Sequence, residues 1–160
     1  MNSKAIGITG HQKIPRDAMS FIRQGIKDLI NEFNNNILCV SSLAAGADQL
    51  FANSVLKAGG KLHVIIPCED YETTFSNIID LKTYNKLVGS ADIVEKLDFS
   101  KPSEDAFLEA GRRVVDSSDM MLAIWDGKKA NGKGGTADVV EYSKQKKKKA
   151  IILWPTGIDR

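Results

Sequence analysis

Four short stretches of this sequence collect the residue types that hold anions and move protons. They are Thr9-Gly10-His11-Gln12-Lys13, the run Ser41 to Asp48 (SSLAAGAD), Pro67-Cys68-Glu69-Asp70, and Asp126-Gly127 followed by Gly132-Lys133-Gly134-Gly135-Thr136. Glycines at Gly10, Gly46, Gly134 and Gly135 let backbone N–H groups approach an anion closely. Three of the stretches run into segments with helical patterning, and a helix N-terminus carries roughly half a positive charge. Phosphate is the guest that suits such turns. Thr136 can cap its helix or donate its hydroxyl to a phosphate oxygen. Asp138 and Glu141 follow at i, i+3 spacing, on one side of that helix near its start. From there they can grip a ribose hydroxyl pair, polarise a sugar carbon, or simply complement the helix dipole. Asp48 divides in the same way between a first-turn capping role and a contact to ribose. His11 stands beside the expected phosphate site as a donor, an acid or a plain loop histidine. Trp125, beside Asp126, offers a stacking face or an aromatic at the edge of the core.

Several familiar chemistries are missing from these turns. There is no GxxxxGK[ST] and no GxGxxG, so neither an ATPase phosphate loop nor a dinucleotide fingerprint is present. HExxH, CxxC and clustered His/Cys ligands are absent, as is GxSxG, so no metal, no cofactor and no serine nucleophile is expected.

The elements that must position these turns can be read from hydrophobic periodicity. Short apolar runs at Lys4 to Thr9, Ile37 to Val40, Leu62 to Ile66, Met120 to Trp125 and Ala150 to Trp154 predict five strands. Between them, amphipathic segments predict helices over Arg16 to Phe33, Ala47 to Ala58, Ser103 to Ser117 and Thr136 to Lys147. In the first of these, Phe21, Ile22, Ile26, Leu29, Ile30 and Phe33 form the expected buried face. Ser103 suits an N-cap, with Glu104 and Asp105 in the first turn, and Gly59-Gly60 stops the second helix. Tyr71 to Val88 carries a mixed helical pattern, and Ala91 to Leu97 fits a short strand or an irregular insertion. Strands apolar on both sides need cover on both faces, so the expected fold is α/β. It is a Rossmann-like three-layer sandwich with a mainly parallel sheet of about five strands. Such sheets bind ligands outside the carboxyl ends of the strands, where all four special stretches fall.

Length and composition agree with one such domain over residues 1–160. The chain has 42% hydrophobic and 26% charged residues, within the ordinary globular range. No apolar run is long enough to span a bilayer, and the N-terminus lacks the apolar stretch of a secretory signal, so a cytoplasmic protein without a membrane partner is expected. Cys39 and Cys68 fit that compartment as buried free thiols. With 22 basic and 20 acidic side chains the net charge is only +2, which argues against a nucleic-acid partner. The lysine run Lys144 to Lys149 reads as the solvated end of the last helix, since no aromatic interleaves it. His63, alternating within a strand, reads as structural.

Taken together, ITGH, SSLAAGADQLFA, LHVIIPCEDYE and GRRVVDSSDMMLAIWDGKKANGKGGTADVVEY resemble the SLOG superfamily. That superfamily joins the DNA-processing protein DprA (Smf) with the Lonely Guy phosphoribohydrolases and with nucleotide-sensing modules of bacterial defence systems. The resemblance implies a Rossmann-like fold, a nucleotide or nucleotide-derived ligand at the strand ends, and a homodimer or higher homo-oligomer. Lonely Guy enzymes carry PGGxGTxxE and an arginine on the preceding helix. Here Gly134-Gly135-Thr136 matches the centre of that pattern, Val139 stands at the glutamate spacing, and Arg112 or Arg113 near the arginine. The expected ligand contacts are therefore Thr9, Gly10, His11, Ser42, Gly46, Asp48, Asp126, Gly134, Gly135 and Thr136. The leading expectation is a nucleotide-binding module. The alternative is an N-glycosidic hydrolase or transferase acting on a nucleoside monophosphate, with Glu69, Asp138 or Glu141 as its carboxylate and Arg112 holding phosphate. A protein-interaction scaffold is a third possibility.

Overall fold

The computed structural model describes residues 2–129 and 135–160. In chain order the elements are β1 (Lys4–Gly10), α1 (Arg16–Glu32), β2 (Ile37–Ser41), α2 (Ala47–Lys57) and β3 (Lys61–Ile66). A 3₁₀ turn (Tyr71–Thr74) then leads to α3 (Ile78–Gly89), β4 (Ile93–Lys96), α4 (Glu104–Asp116), β5 (Met120–Ile124), α5 (Thr136–Gln145) and β6 (Ala150–Ile152). All pairings are parallel, in the order β4-β3-β2-β1-β5-β6. The chain winds outward from β1 to β4, returns through α4, and lays β5 against the free side of β1. The order thus reverses between β1 and β5, and the crevice above their carboxyl ends is where a ligand fits this architecture.

The period-2 alternation of the strands divides the core into two layers. Ile6, Ile8, Leu62, Val64, Leu122 and Ile124 point to the side covered by α1, α2 and α3. Val40, Ile65 and Met121 point to the side covered by α4 and α5, where they meet Ala110, Val114, Val115 and Val139. Right-handed crossovers require this division, because helices that step the sheet in opposite directions must lie on opposite faces. On α1 the buried stripe is Ala18, Ile22, Ile26, Leu29 and Ile30; Phe21, one residue and about 100° off that stripe, is 50% exposed.

Two segments take more definite form than their patterning suggests. Residues 91–97 hold a sixth strand, β4, registered on β3 from His63–Ile93 to Ile66–Lys96. As an edge strand it has cover on one flank only, so Ile93 and Val94 stay half-exposed and no continuous apolar run marks it. The mixed pattern after Tyr71 resolves into the 3₁₀ turn and α3, which Asn77 separates by accepting the Ile79 N–H at 2.7 Å. Ser103 caps α4 by accepting the Ala106 N–H at 3.0 Å. Both cysteines are free and buried. Among the described residues no helix is long and apolar enough to cross a membrane, and no group of three or more His, Cys, Asp or Glu could hold a metal ion.

Candidate functional site

A cleft of about 510 Å³ opens at the carboxyl ends of β1, β2 and β3. Its floor is Ile8, Thr9 and Gly10 from β1 and Ser42, Ala44 and Asp48 from the turn into α2. One wall is the first turn of α5 with Ala110, Gly111 and Val114 of α4; the other is Tyr71, Phe75 and Phe107. A second, more open cavity of about 730 Å³ adjoins it and shares Gly10, Gln12, Gly135 and Thr136. This outer arm carries the cationic side chains Lys13, Lys128 and Arg160, with Trp125 beside them.

The floor is held by contacts between turns. His11 N–H donates to the Ile124 carbonyl of β5, and the His11 carbonyl accepts from Ala47 N–H of α2, both at 3.0 Å. Gly46 has φ +83°, and a Cβ there would lie 2.3 Å from the Gln12 carbonyl oxygen. A Cβ on Gly10 would lie 2.6 Å from both the Ala47 Cβ and the Ile124 carbonyl oxygen. These two glycines are required because the β1 turn, the start of α2 and the end of β5 meet backbone to backbone.

Asp48 is the acid set deepest in this floor. It is 9% exposed, accepts the Ala44 N–H on Oδ2 at 3.3 Å, and is hydrogen-bonded by the Ser41 hydroxyl. Burial outweighs both bonds and pushes its carboxyl up to about 7. Tyr71 sits close enough to feel its charge, and packs edge-on against Phe75 and Tyr84, each at 5.5 Å. The inner end of the cleft therefore joins a buried acid to an aromatic wall.

His11 faces the other way. It is 5% exposed, with Nε2 at 3.1 Å from the Asp126 N–H, from which it can accept, and 3.2 Å from the Asp126 carboxylate, to which it can donate. Its Nδ1 lies 3.3 Å from Arg160 Nη1, and its ring meets Trp154 edge-on at 5.2 Å. Burial holds the imidazole below its ordinary value despite the Asp126 charge. For Asp126 burial acts upward, but the Lys128 N–H bond and His11 outweigh it and hold the carboxylate low. His11 thus ties the β1 turn to the β5 turn and to the C-terminal segment, while its backbone borders the outer arm.

Of the expected ligand contacts, Thr9, Gly10, Ser42, Asp48, Gly135 and Thr136 line the cleft together. His11 lines the outer arm, Asp126 lies on a neighbouring groove, and Gly46 is enclosed against the β1 turn. Gly134, with Gly132 and Lys133, lies outside the described residues. The four residues expected for catalysis are not brought together. Glu69 pairs with Lys96 at 3.2 Å on the surface beside β4. Arg112 pairs with Glu109 at 2.7 Å and lies over the Tyr142 ring. Asp138 and Glu141 are exposed along α5. The helix faces turned to the cleft are Gly111 on α4 and Val139 on α5, packed so closely that a Cβ on Gly111 would lie 2.6 Å from Val139 Cγ2. Where the resemblance would place a glutamate, the cleft has an isopropyl group. Arg113 is also committed elsewhere: it grips Glu95, whose other oxygen takes His63 Nε2 at 2.6 Å, in an ion-pair chain between β3, β4 and α4.

Sequence reasoning passed over the aromatic wall, Asp80 on the rim, and two of the three cations of the outer arm. Lys13 was visible in its turn, but Lys128 and Arg160 are far apart in sequence and meet only because the segment after β6 folds back. In that fold Lys128 pairs with Asp159 at 2.8 Å and Trp154 donates to the Ile158 carbonyl at 2.7 Å.

No protein-family model and no curated protein sequence matches the chain. Among solved structures it is similar to DNA processing protein A (DprA) from Streptococcus pneumoniae, with TM-score 0.71 and 14% identity over 98% of this chain and 52% of that one. It is similar to DprA from Helicobacter pylori, whose structure concerns its single-stranded DNA binding mode, with TM-score 0.69 and 18% identity over 94% of this chain and 65% of that one. The molybdenum cofactor carrier protein of Chlamydomonas reinhardtii matches with TM-score 0.56 and 15% identity, covering 94% of this chain and 76% of that one. The chain spans about half to two thirds of the length of the two DprA proteins. All are SLOG-type Rossmann-like folds, and this chain has that fold. The expectation of no nucleic-acid partner is corrected by the two DNA-processing neighbours. Its physical error was to use net charge: a total of +2 averages over the surface, whereas Lys13, Lys128 and Arg160 are gathered along one arm of the cleft.

Proposed function

We propose that the cleft binds a nucleotide unit, with its phosphate at the first turn of α5 and the outer arm, and its base inward along Tyr71, Phe75 and Phe107. The observation that carries this reading is the division of charge and polarity along one continuous hollow. Cations and the first turn of α5 lie at one end, and a buried acid with aromatic rings lies at the other. An anionic group is stabilised by the first and, once Asp48 is ionised above about pH 7, repelled by the second, which supports that orientation of the ligand. Binding is better supported than N-glycosidic cleavage, because a hydrolase would have to draw its carboxylate from Asp48 or Asp80, the acids that line the cleft.

A second reading has its own support. The outer arm adjoins the cleft and is more open than it, which suits a strand whose next phosphate lies against Lys13, Lys128 and Arg160, and the DprA neighbours favour it. Calorimetric titration of the protein with nucleoside monophosphates and with short single-stranded oligonucleotides tests both. Saturable binding of either is expected, and tighter, salt-dependent binding of the oligonucleotide supports the strand. Folded protein that stays silent toward both up to millimolar concentration rules the proposal out.

A further inference from the structure

The inner end of the cleft has a chemistry that the phosphate argument leaves unused. Asp48 lines it while nine-tenths buried, its carboxyl braced by Ala44 N–H and the Ser41 hydroxyl, next to the ring of Tyr71. A sugar would meet this acid with hydroxyls but gain little from the aromatic wall. A flat heterocycle uses both, its faces against apolar rings and its edge against the acid. From this we infer that Asp48 reads the base, and that it selects an edge carrying adjacent N–H and NH₂ donors, the 2-amino-oxo edge of guanine. Two parallel donors match two carboxylate oxygens in one plane, the geometry that gives carboxylates their strongest pairings. Adenine sets a ring-nitrogen acceptor beside its amino group and so turns a lone pair toward an ionised carboxylate. Inosine keeps the ring N–H but lacks the amino group.

This inference rests on the nucleotide reading of the cleft, and its test separates the two. Affinities for guanosine, inosine and adenosine monophosphates are measured by calorimetry at pH 8 on the full chain and on Asp48→Asn. At that pH the Asp48 carboxyl, pushed up to about 7, is ionised, while the neighbouring Cys39 thiol and Tyr71 phenol, both raised by burial, are neutral. The guanine nucleotide is expected to bind at least ~10-fold more tightly than inosine monophosphate, the scale of one good base-edge contact, with adenosine monophosphate weakest. Asp48→Asn keeps the side chain's size but replaces one acceptor by a donor, so the guanine preference falls to about onefold, the guanine nucleotide losing two charge-assisted bonds and inosine monophosphate only one. Equal affinity of the unaltered protein for guanosine and inosine monophosphates overturns the inference and leaves nucleotide binding standing, a comparison that needs no variant. A preference that survives in Asp48→Asn overturns it as well. Absence of binding by all three removes the nucleotide reading and the inference with it.

Discussion

Replacing Asp48 by asparagine should make the protein more stable at alkaline pH. The carboxyl has a value of 3.8 in an unstructured chain and about 7 in the fold, with burial as the main cause. Between those values the unfolded chain is ionised and the folded chain holds the proton, so stability falls as pH rises from about 4 to about 7 and levels off above that. At about 1.4 kcal/mol per pH unit, ionising this group costs the fold about 4 kcal/mol in full, and about 3 kcal/mol between pH 5 and pH 8. Asparagine does not titrate, but it puts an amide donor where the carboxyl has its second acceptor oxygen, which costs about 1 kcal/mol at every pH in the bonding to Ala44 N–H and Ser41. Urea unfolding at pH 5, 6, 7 and 8 is read as the difference between variant and unaltered protein. The difference is the right quantity because His11, held low by burial, gains stability for the fold as pH rises toward 6.5, the opposite trend. Asp48→Asn should be near neutral or slightly destabilised at pH 5 and about 2 to 3 kcal/mol more stable at pH 8. A difference that stays constant within about 0.5 kcal/mol across the series would refute the burial argument.

Other substitutions probe separate parts of the site. Gly46→Ala should destabilise by roughly 2 kcal/mol or more, since the added methyl meets the Gln12 carbonyl and φ is +83°; a midpoint in urea unchanged from the parent would contradict that packing. Lys13→Ala and Arg160→Ala should each flatten the log–log dependence of oligonucleotide affinity on salt by about 0.7 if each touches one phosphate, and unchanged slopes would take those cations out of the site. Glu69→Gln should leave nucleotide affinity within about twofold, because its carboxylate faces Lys96 at an exposed ion pair; a large loss in titration would return it to the cleft.

The layered fold was legible because β1, β2, β3 and β5 are buried on both faces and so must be written as uninterrupted apolar runs. β4 was legible only as one of two alternatives, a short strand or an irregular insertion, because Ile93 and Val94 are half-exposed and Glu95 and Lys96 cut its apolar run short. The site was legible at the level of turns, where Thr9, Gly10, Ser42, Asp48, Gly135 and Thr136 do converge. Side-chain direction was harder. A helix swings each successive residue by about 100°, so α4 turns Gly111 to the cleft and carries Arg112 and Arg113 to the surface, and α5 does the same with Val139, Asp138 and Glu141. The glycines were noticed correctly but explained incompletely: at Gly10 and Gly46 the space left by the missing Cβ is filled by the protein's own backbone. Nothing local in sequence announces Arg160 beside His11, because that proximity depends on the segment after β6 returning to the first turn.

The interlock of Gln12 with Gly46 has an implication for how this cleft can change over time. Neither turn is a self-contained cassette, since the shape of each is moulded on the other across more than thirty intervening residues. A loop borrowed from a related scaffold would arrive without its counterpart and clash. Variation at the first turn is consequently filtered by the second, and new ligand preferences are easier to reach through the aromatic flank, whose side chains can be exchanged one at a time.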